Sequence, residues 1–294
     1  MSKSVNPIVV QRPTANGQGP HIGGQAIIEG VMMKGENKIC CSVRKKNKII
    51  RKITKYSAPT SKILKTPFIR GISSLYDMLV IGLKALTWSA NQQTESEEEK
   101  LSNKEIAGTM FVALGMAIII FVLVPYGLGK WLSGGSNILL NVFDAIFRVI
   151  IFAGYLYFIG KMKDVARVFQ FHGAEHMAVH CFEHKKKLTV ENVMKFGTAH
   201  ARCGTTFLVY VIMVSIIVFS LIKADFWVWN VLLRIVLIPV IAGVSYEILK
   251  FAGNHDNKFT RILSWPGMKV QSMTTRQPDA KQVEVAIDAI KHVI

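Results

Sequence analysis

The stretch IAGTMFVALGMAIIIFVLV, residues 106–124, decides the fold class of this chain. It contains no charged residue and is followed by Pro125. As a helix, it is long enough to cross a hydrocarbon layer about 30 Å thick. A second charge-free stretch, residues 206–222, ends just before Lys223. The sequence therefore predicts an α-helical integral membrane protein.

Two further apolar stretches, residues 138–160 and 226–248, each contain two charged residues. Both are long enough to span a bilayer, and short links join each of them to a charge-free stretch. The pattern predicts about four transmembrane helices, arranged as two hairpins.

The distribution of Lys and Arg predicts the orientation of these helices. Residues 1–66, residues 161–205 and the segment after residue 250 are basic, whereas the link at 126–137 contains only Lys130. Loops on the cytoplasmic side of a membrane contain the excess of Lys and Arg. We therefore expect a multi-pass protein of the cytoplasmic membrane, with both termini and a His-rich helix and loop at 161–205 in the cytoplasm.

Residues 67–90 have apolar side chains at helical spacing and charged residues elsewhere around the helix. This pattern favours an interfacial amphipathic helix. If these residues spanned the membrane instead, two basic segments would lie on opposite sides, which the orientation rule disfavours. The flanking segments are predicted to be an acidic linker at 91–105 and a disordered tail at 1–20, which has no apolar signal region.

Residues 21–66 and 254–294 are predicted to form one small α+β cytoplasmic domain. Short strands need partners to be stable, so we expect the two segments to pair. The expected elements are strands at 26–33, 39–54 and 268–275, with a turn at 45–48 in the second, and a helix at 279–293.

The chain is strongly basic, with a formal net charge of +17 and a mean hydropathy of +0.32. No zinc-finger spacing or RNA-binding signature accompanies the charge, so nucleic acid is not an expected partner. The expected partners are the lipid bilayer and anionic lipid headgroups. Whether the chain forms a homo-oligomer is left open by the sequence. A reducing compartment argues against disulfides among the four cysteines.

The segment FHGAEH, residues 171–176, contains an HxxEH motif. On a helix, His172 and His176 share a face, so their imidazoles can bind one metal ion, and Glu175 lies beside them. This order of residues occurs in zinc peptidases of the inverted type, in which the Glu is the general base. The alternative is an amphipathic face whose histidines are structural.

Additional metal ligands are expected from more distant parts of the chain. Mixed nitrogen, sulfur and oxygen donors favour zinc over magnesium or calcium. The candidates for the third and fourth ligands are His200, Cys203 and Glu247.

Two other groups of polar residues attract attention. Asp144 and Arg148 are one helical turn apart, and Arg234 is predicted at a comparable depth, which indicates an intramembrane polar cluster. The cluster could hold helices in register or line a transport path. Glu29, between apolar residues and Gly30, could face the same site as Glu175, and both are candidate catalytic residues.

Four separated motifs resemble a known bacterial membrane-protein family. They are GGQAIIEGVMM at 23–33, FHGAEH at 171–176, RCGT at 202–205, and WPG at 265–267 continuing through TTRQP at 274–278. In this order they are similar to the family called domain of unknown function 1385, over nearly the whole chain.

The resemblance implies a bacterial cytoplasmic membrane and the general label of metal-dependent enzyme. It also implies importance for Arg202, Thr275 and Arg276, which we assign to substrate binding. His180 and His184 are not part of the family pattern.

The leading hypothesis is therefore a membrane protein with a zinc site at the inner surface and a hydrolytic activity on peptide or lipid. The alternative is a transporter or scaffold in which the His-rich helix is structural.

Overall fold

The structure, a computed structural model, describes residues 22–57, 61–94, 102–200, 202–222, 226–255 and 257–294. Most of these residues are helical, and one small antiparallel sheet lies near the start of the chain. The predicted tail at 1–20 and part of the predicted acidic linker lie outside the described residues.

The sheet is a meander of four strands in the order β1-β2-β3-β4. The strands are β1 Gly23–Ile27, β2 Gly30–Lys34, β3 Lys38–Lys45 and β4 Lys48–Lys55. The predicted turn at 45–48 is confirmed, because Lys45 pairs with Lys48. The single strand predicted at 26–33 is wrong, since Glu29 has a positive φ of 53° and the chain turns there between β1 and β2.

Twelve helical segments follow the sheet along the described chain. They are a short 3₁₀ turn at Ile63–Lys65 and then α1 Ile69–Gln93, α2 Asn103–Ile118, α3 Val124–Leu132, α4 Asn137–Ile159, α5 Lys163–Glu183, α6 Val190–Val193, α7 Gly204–Ser220, α8 Trp227–Val236, α9 Ile238–Asn254, α10 Lys258–Thr274 and α11 Ala280–Lys291. A π turn at Ile119–Leu123 joins α2 to α3 without a break.

The sheet is buried between helices on both faces. Alternate side chains of a strand point to opposite faces. Val31 and Met33 therefore pack with α5 and α11, whereas Met32 packs with α1 around Ala85. The helix predicted at 279–293 is confirmed as α11, and its apolar residues Val283, Ala286 and Ile290 enter the first of these cores.

Among the described residues, two helical segments are long and apolar enough to cross a membrane, namely Lys104–Leu132 and Asn137–Ile159. A third span exists if α8 and α9, which are bent by 42° at Leu237, are counted as one. The apolar helix α7 is shorter. The described structure is thus compatible with membrane association through two or three helices, and the division into four spans stays a prediction.

The segment predicted to be a strand at 268–275 is instead the end of helix α10, so that prediction is wrong. Asn257 begins this helix with a capping box that it shares with Thr260. Ser264, Met268 and Gln271 recur at helical spacing and are buried, and α10 packs along α7. Pro266 lies inside α10, and that proline, with the β-branched residues near the end, concealed the helical period.

Glycine at position 173 is required by a close approach between α5 and the segment after α10. A Cβ atom at Gly173 would lie 2.1 Å from the carbonyl oxygen of Arg276. We expect Gly173→Ala to destabilise the fold by about 1–3 kcal/mol, because backbone must move. The measurement is thermal unfolding of the detergent-purified protein.

Gly154→Ala is the matched control, since a Cβ atom there meets no other atom within 4 Å and alanine favours a helix. Equal midpoints for the two variants would contradict the close approach.

Candidate metal centre

His172, His176 and Cys203 come together although 31 residues separate His172 from Cys203. The first two lie one turn apart on α5, and their ring centroids are 4.4 Å apart. Cys203 is the N-cap of α7. One donor atom from each of the three residues lies within 4.8 Å of the others. This geometry brings two imidazoles and one sulfur to a common position.

Both imidazoles are oriented by backbone carbonyl groups. The Nδ1 atom of His172 lies 2.9 Å from the carbonyl oxygen of Thr274, and that of His176 lies 2.5 Å from the carbonyl oxygen of Thr198. A carbonyl only accepts hydrogen bonds, so Nδ1 carries a proton in each ring. Each neutral ring then has its lone pair on Nε2, the atom that in His172 lies 3.2 Å from Cys203 Sγ.

A buried glutamine fixes the loop that carries Thr198 and Cys203. Gln271 of α10 accepts a hydrogen bond from the His200 N–H at 2.8 Å. It donates bonds to the His200 carbonyl at 2.7 Å and to Thr206 Oγ1 at 2.8 Å. Sequence reasoning missed Gln271 because it placed this segment in a strand. The carbonyl acceptors carry no side-chain signal at all.

The centre is almost closed to solvent. Cys203 is 7% exposed, and His176 is 3% exposed. Burial alone would raise the pKa of the Cys203 thiol, but the nearby charges of His176 and His172 and their hydrogen bonds hold that pKa well below its usual value. The Thr205 N–H, in the first turn of α7, also donates to Cys203 Sγ. Cys203 is therefore held as a thiolate, the form that binds metals.

The same electrostatics act on His176 in the opposite direction. Burial would lower its pKa, but the negative charges of Cys203 and Glu175 raise it to about 9. In the protein without a metal, the added proton on His176 thus offsets part of the negative charge of Cys203 and Glu175. A metal cation would take over that compensation.

Glu175 lies beside this group, as the sequence predicts. It is 5% exposed, and its Oε2 atom is 3.4 Å from His176 Nε2. Strand β1 lies against the carboxylate, because a Cβ atom at Gly24 would be 2.9 Å from Glu175 Oε1. The glycine-rich start of the first motif therefore makes room for this carboxylate.

His200 lies in a neighbouring group with His180 and Glu183, whose donor atoms are also within 4.8 Å of one another. Its Nδ1 atom faces the Arg202 N–H, and its Nε2 atom faces Glu183 Oε2, each at 3.3 Å. Both ring nitrogens are thus occupied by hydrogen bonds. The structure does not bring His200, predicted as a metal ligand, into the group of His172, His176 and Cys203.

Glu183 also accepts a hydrogen bond from the Arg202 guanidinium. This ion pair balances the charge of Glu183 and binds the loop before α7 to the end of α5. Burial and the charge of His200 lower the pKa of His180 to about 3. The second group is therefore well described as a hydrogen-bonded support for the first.

Two predicted residues lie elsewhere. Glu247, a predicted metal ligand, pairs with Arg70 through both carboxylate oxygens, and it lies outside both groups of candidate ligands. Glu29, a predicted catalytic residue, forms a similar pair with the Arg167 guanidinium. The predicted position of Glu247 near the inner membrane surface suggested that it is a metal ligand. In the structure, its carboxylate is instead bound by the Arg70 guanidinium of α1.

The residues assigned to substrate binding are placed in the framework around the centre. Thr275 is 6% exposed, and its hydroxyl donates to the Gln271 carbonyl at 2.9 Å. The Arg276 guanidinium donates to the carbonyl of Gly160, the C-cap of α4. Arg202 is bound to Glu183, as described above.

The predicted polar cluster forms within the apolar helices. Asp144 Oδ1 accepts from Arg148 Nη2 at 2.8 Å, and Asp144 Oδ2 accepts from Arg234 Nη1 at 2.7 Å. Arg148 also donates to the carbonyl of Phe121 at 2.9 Å. That carbonyl lies four residues before Pro125, which has no N–H to offer it. The cluster therefore ties α4 to α8 and to the π turn.

Removing the only carboxylate of this cluster tests its structural role. In Asp144→Asn, two buried guanidinium groups lose their counter-charge, which we expect to cost about 3–5 kcal/mol. Thermal unfolding in detergent should show the loss, with Lys130→Gln, an exposed single-charge change, as the unaffected control. An unfolding midpoint for Asp144→Asn like that of the control would contradict this role.

Comparison with known proteins agrees with the motifs. The family model described as "Protein of unknown function (DUF1385)" matches residues 66–294. The "Uncharacterized protein YqhQ" of Bacillus subtilis (strain 168) is 32% identical in an alignment 294 positions long, which covers 94% of this chain and 92% of that protein. No solved structure matches this chain. The chain belongs to the DUF1385 family.

Proposed function

We propose that this chain is a metal-dependent hydrolase of the bacterial cytoplasmic membrane that binds one zinc ion through His172, His176 and Cys203. The observation that carries the proposal is the pair of carbonyl-anchored imidazoles, whose Nε2 atoms turn toward one cysteine. Metal-bound histidines almost always donate their other N–H to a carbonyl or carboxylate. By contrast, activation of Cys203 as a nucleophile would need only one such imidazole.

The donor set fits zinc. Catalytic zinc sites have three protein ligands and an open fourth position, and two imidazoles with one thiolate are soft enough to select zinc over magnesium or calcium. When bound, zinc would supply Lewis acidity to a substrate carbonyl or phosphoryl group. Of the four candidate ligands beyond His172, only Cys203 and His176 belong to this set.

Glu175 would serve as the general base. Its carboxylate is buried within 3.4 Å of His176, and burial keeps it in a fixed orientation against β1. In this position Glu175 can accept a proton from water as that water attacks the substrate, and then return it to the leaving group. His200, Gln271 and Arg202 are positioning residues, because they fix the loop that carries Cys203.

The proposed membrane placement rests on the charge pattern and on the candidate spans. Lys104–Leu132 and Asn137–Ile159 are apolar, and the bent pair α8–α9 adds a further segment. We propose that α7 completes a set of four spans and that the metal centre lies at the cytoplasmic end of α7. The amphipathic helix α1, which packs on the sheet around Ala85, would lie in the interface.

Metal content tests the first part of the proposal. We expect the purified wild-type chain to contain about one zinc per chain, and His172→Ala and His176→Ala to lose most of it, because each removes one of three protein ligands. Inductively coupled plasma mass spectrometry measures the ratio. His255→Ala is the control, since His255 is exposed and its imidazole bonds to the carbonyl of Phe251, one turn earlier.

Absence of stoichiometric metal from the wild type, or full retention in both site variants, would reject the metal centre. Thermal unfolding of each variant with and without added zinc shows whether a loss of metal follows from unfolding.

Glu175→Gln tests the second part. We expect this variant to keep its zinc and to lose hydrolytic rate by about 10²–10⁴-fold, the usual contribution of a general base. A panel of peptide and lipid-ester substrates in mixed micelles provides the assay. Glu191→Gln is the control, because Glu191 is exposed and its carboxylate pairs with the exposed Lys195, four residues along the chain. Unchanged hydrolysis by Glu175→Gln would refute the assigned role.

A second candidate function is nucleophilic catalysis by Cys203. The observation that favours it is the thiolate at a helix N-terminus, with the Thr205 N–H on Sγ and His172 at 3.2 Å, an arrangement that activates cysteine. The two functions separate in one comparison. Chelation should abolish a metal-dependent activity, whereas a cysteine nucleophile should survive chelation and be lost on alkylation by iodoacetamide.

A further inference from the structure

A cleft of about 530 Å³ lies away from the metal centre, between the sheet, α1 and the end of α9. Its walls carry three cations, Lys34 from β2, Arg70 from α1 and Lys250 from α9, and one carboxylate, Asp77. The cleft is therefore positively charged overall. Nothing in the proposed hydrolytic reaction uses it.

The carboxylates near the cleft are already engaged. Asp77 accepts a hydrogen bond from the Tyr56 hydroxyl at 2.7 Å and lies 3.5 Å from Lys34 Nζ. Glu247 is bound by Arg70 of the cleft wall. Lys250 is exposed and acts on Glu247 only through space. Among the residues that the structure describes, Lys250 thus supplies the cleft charge that has no direct ion pair.

The remaining lining matches a phosphate ester more closely than a bare anion. Ser73 and Ser74 bring hydroxyl groups from α1, and Tyr246 brings a phenol from α9, one turn before Lys250. Hydroxyl donors and cations together are the groups that hold phosphate oxygens. Leu64 adds an apolar wall, which suits the carbon chain of an ester.

Helix α1, which lines the cleft, also carries exposed apolar residues. Leu75 and Leu79, on the helix that carries Ser74, are 37% and 57% exposed. Apolar residues of an interfacial helix enter the boundary between headgroups and acyl chains. A phosphate in the cleft would then lie at headgroup level. Burial also lowers the pKa of Lys34, even though Asp77 opposes the shift, so an added anion would favour its charged form.

We propose that this cleft is a binding site for a phosphate mono- or diester of net negative charge, the chemistry shared by anionic lipid headgroups and small soluble phosphates. The cations and hydroxyls of α1, α9 and β2 bind the phosphate, and the apolar wall accepts the ester carbon. The proposed membrane placement bears only on which of the two sources supplies the ligand.

The test uses the full chain purified in detergent. Phosphatidic acid, phosphatidylglycerol and phosphatidylcholine are titrated in mixed micelles, and sn-glycerol 3-phosphate is titrated in buffer. We expect an anionic ligand to bind saturably and Lys250→Gln to weaken it about tenfold, the effect of losing one charge-assisted contact. Ser74→Ala should weaken it less. Lys269→Gln is the matched control, because Lys269 is exposed on α10 over Trp265, outside the cleft.

Binding of the anionic lipids alone identifies a headgroup as the ligand, and binding of glycerol 3-phosphate identifies a soluble phosphate ester. Either result, if lost in Lys250→Gln and kept in Lys269→Gln, supports the site. Equal binding of phosphatidylcholine, or equal loss in both lysine variants, overturns it. Zinc content measured on the same samples reports separately on the proposed metal centre.

Discussion

The structure around the candidate metal centre depends on two carbonyl groups, those of Thr274 and Thr198, which fix a proton on Nδ1 of two histidines. A neutral imidazole that donates from Nδ1 has its lone pair at Nε2, where a metal ion can bind. One carbonyl belongs to Thr274 at the end of α10, and the other belongs to Thr198 in the loop before α7. Both elements must therefore be in place for the two rings to converge on Cys203. The candidate chemistry is therefore a property of the tertiary fold rather than of the HxxEH motif alone.

This dependence explains why α5 is surrounded on so many sides. The sheet covers Glu175, the loop before α7 contacts His176, and α10 contacts His172. Among the described residues, His180 Nδ1 is the one buried side-chain nitrogen or oxygen atom of this helix without a hydrogen-bond partner; neighbouring elements satisfy the other charged and titratable groups that α5 presents to a nearly dry interior. Gln271 and Glu183 do so for the loop, and the pair of Glu183 with Arg202 keeps a carboxylate neutralised beside His200.

Much of the fold could be predicted from local pattern. The apolar stretches, the turn between β3 and β4 and helix α11 each carry a period or a turn signal that tertiary contacts do not override. Helix α10 escaped because Pro266 and several β-branched residues suggested a strand, whereas its buried stripe at Ser264, Met268 and Gln271 becomes meaningful only once α7 is known to face it. Likewise, Glu29 lies in the turn between β1 and β2, and the sequence pattern predicted one continuous strand there.

For the site, the sequence indicated His172, Glu175, His176 and Cys203, because residue type and helical spacing constrain a shared ligand. It could not exclude Glu247, whose partner Arg70 lies in a helix of uncertain depth by sequence alone. The central claim concerns the donor atoms, so X-ray absorption at the zinc edge of the purified protein tests it most directly. The account predicts one sulfur at about 2.3 Å and two imidazole nitrogens at about 2.0–2.1 Å. A spectrum with oxygen donors only, or without sulfur, would contradict it.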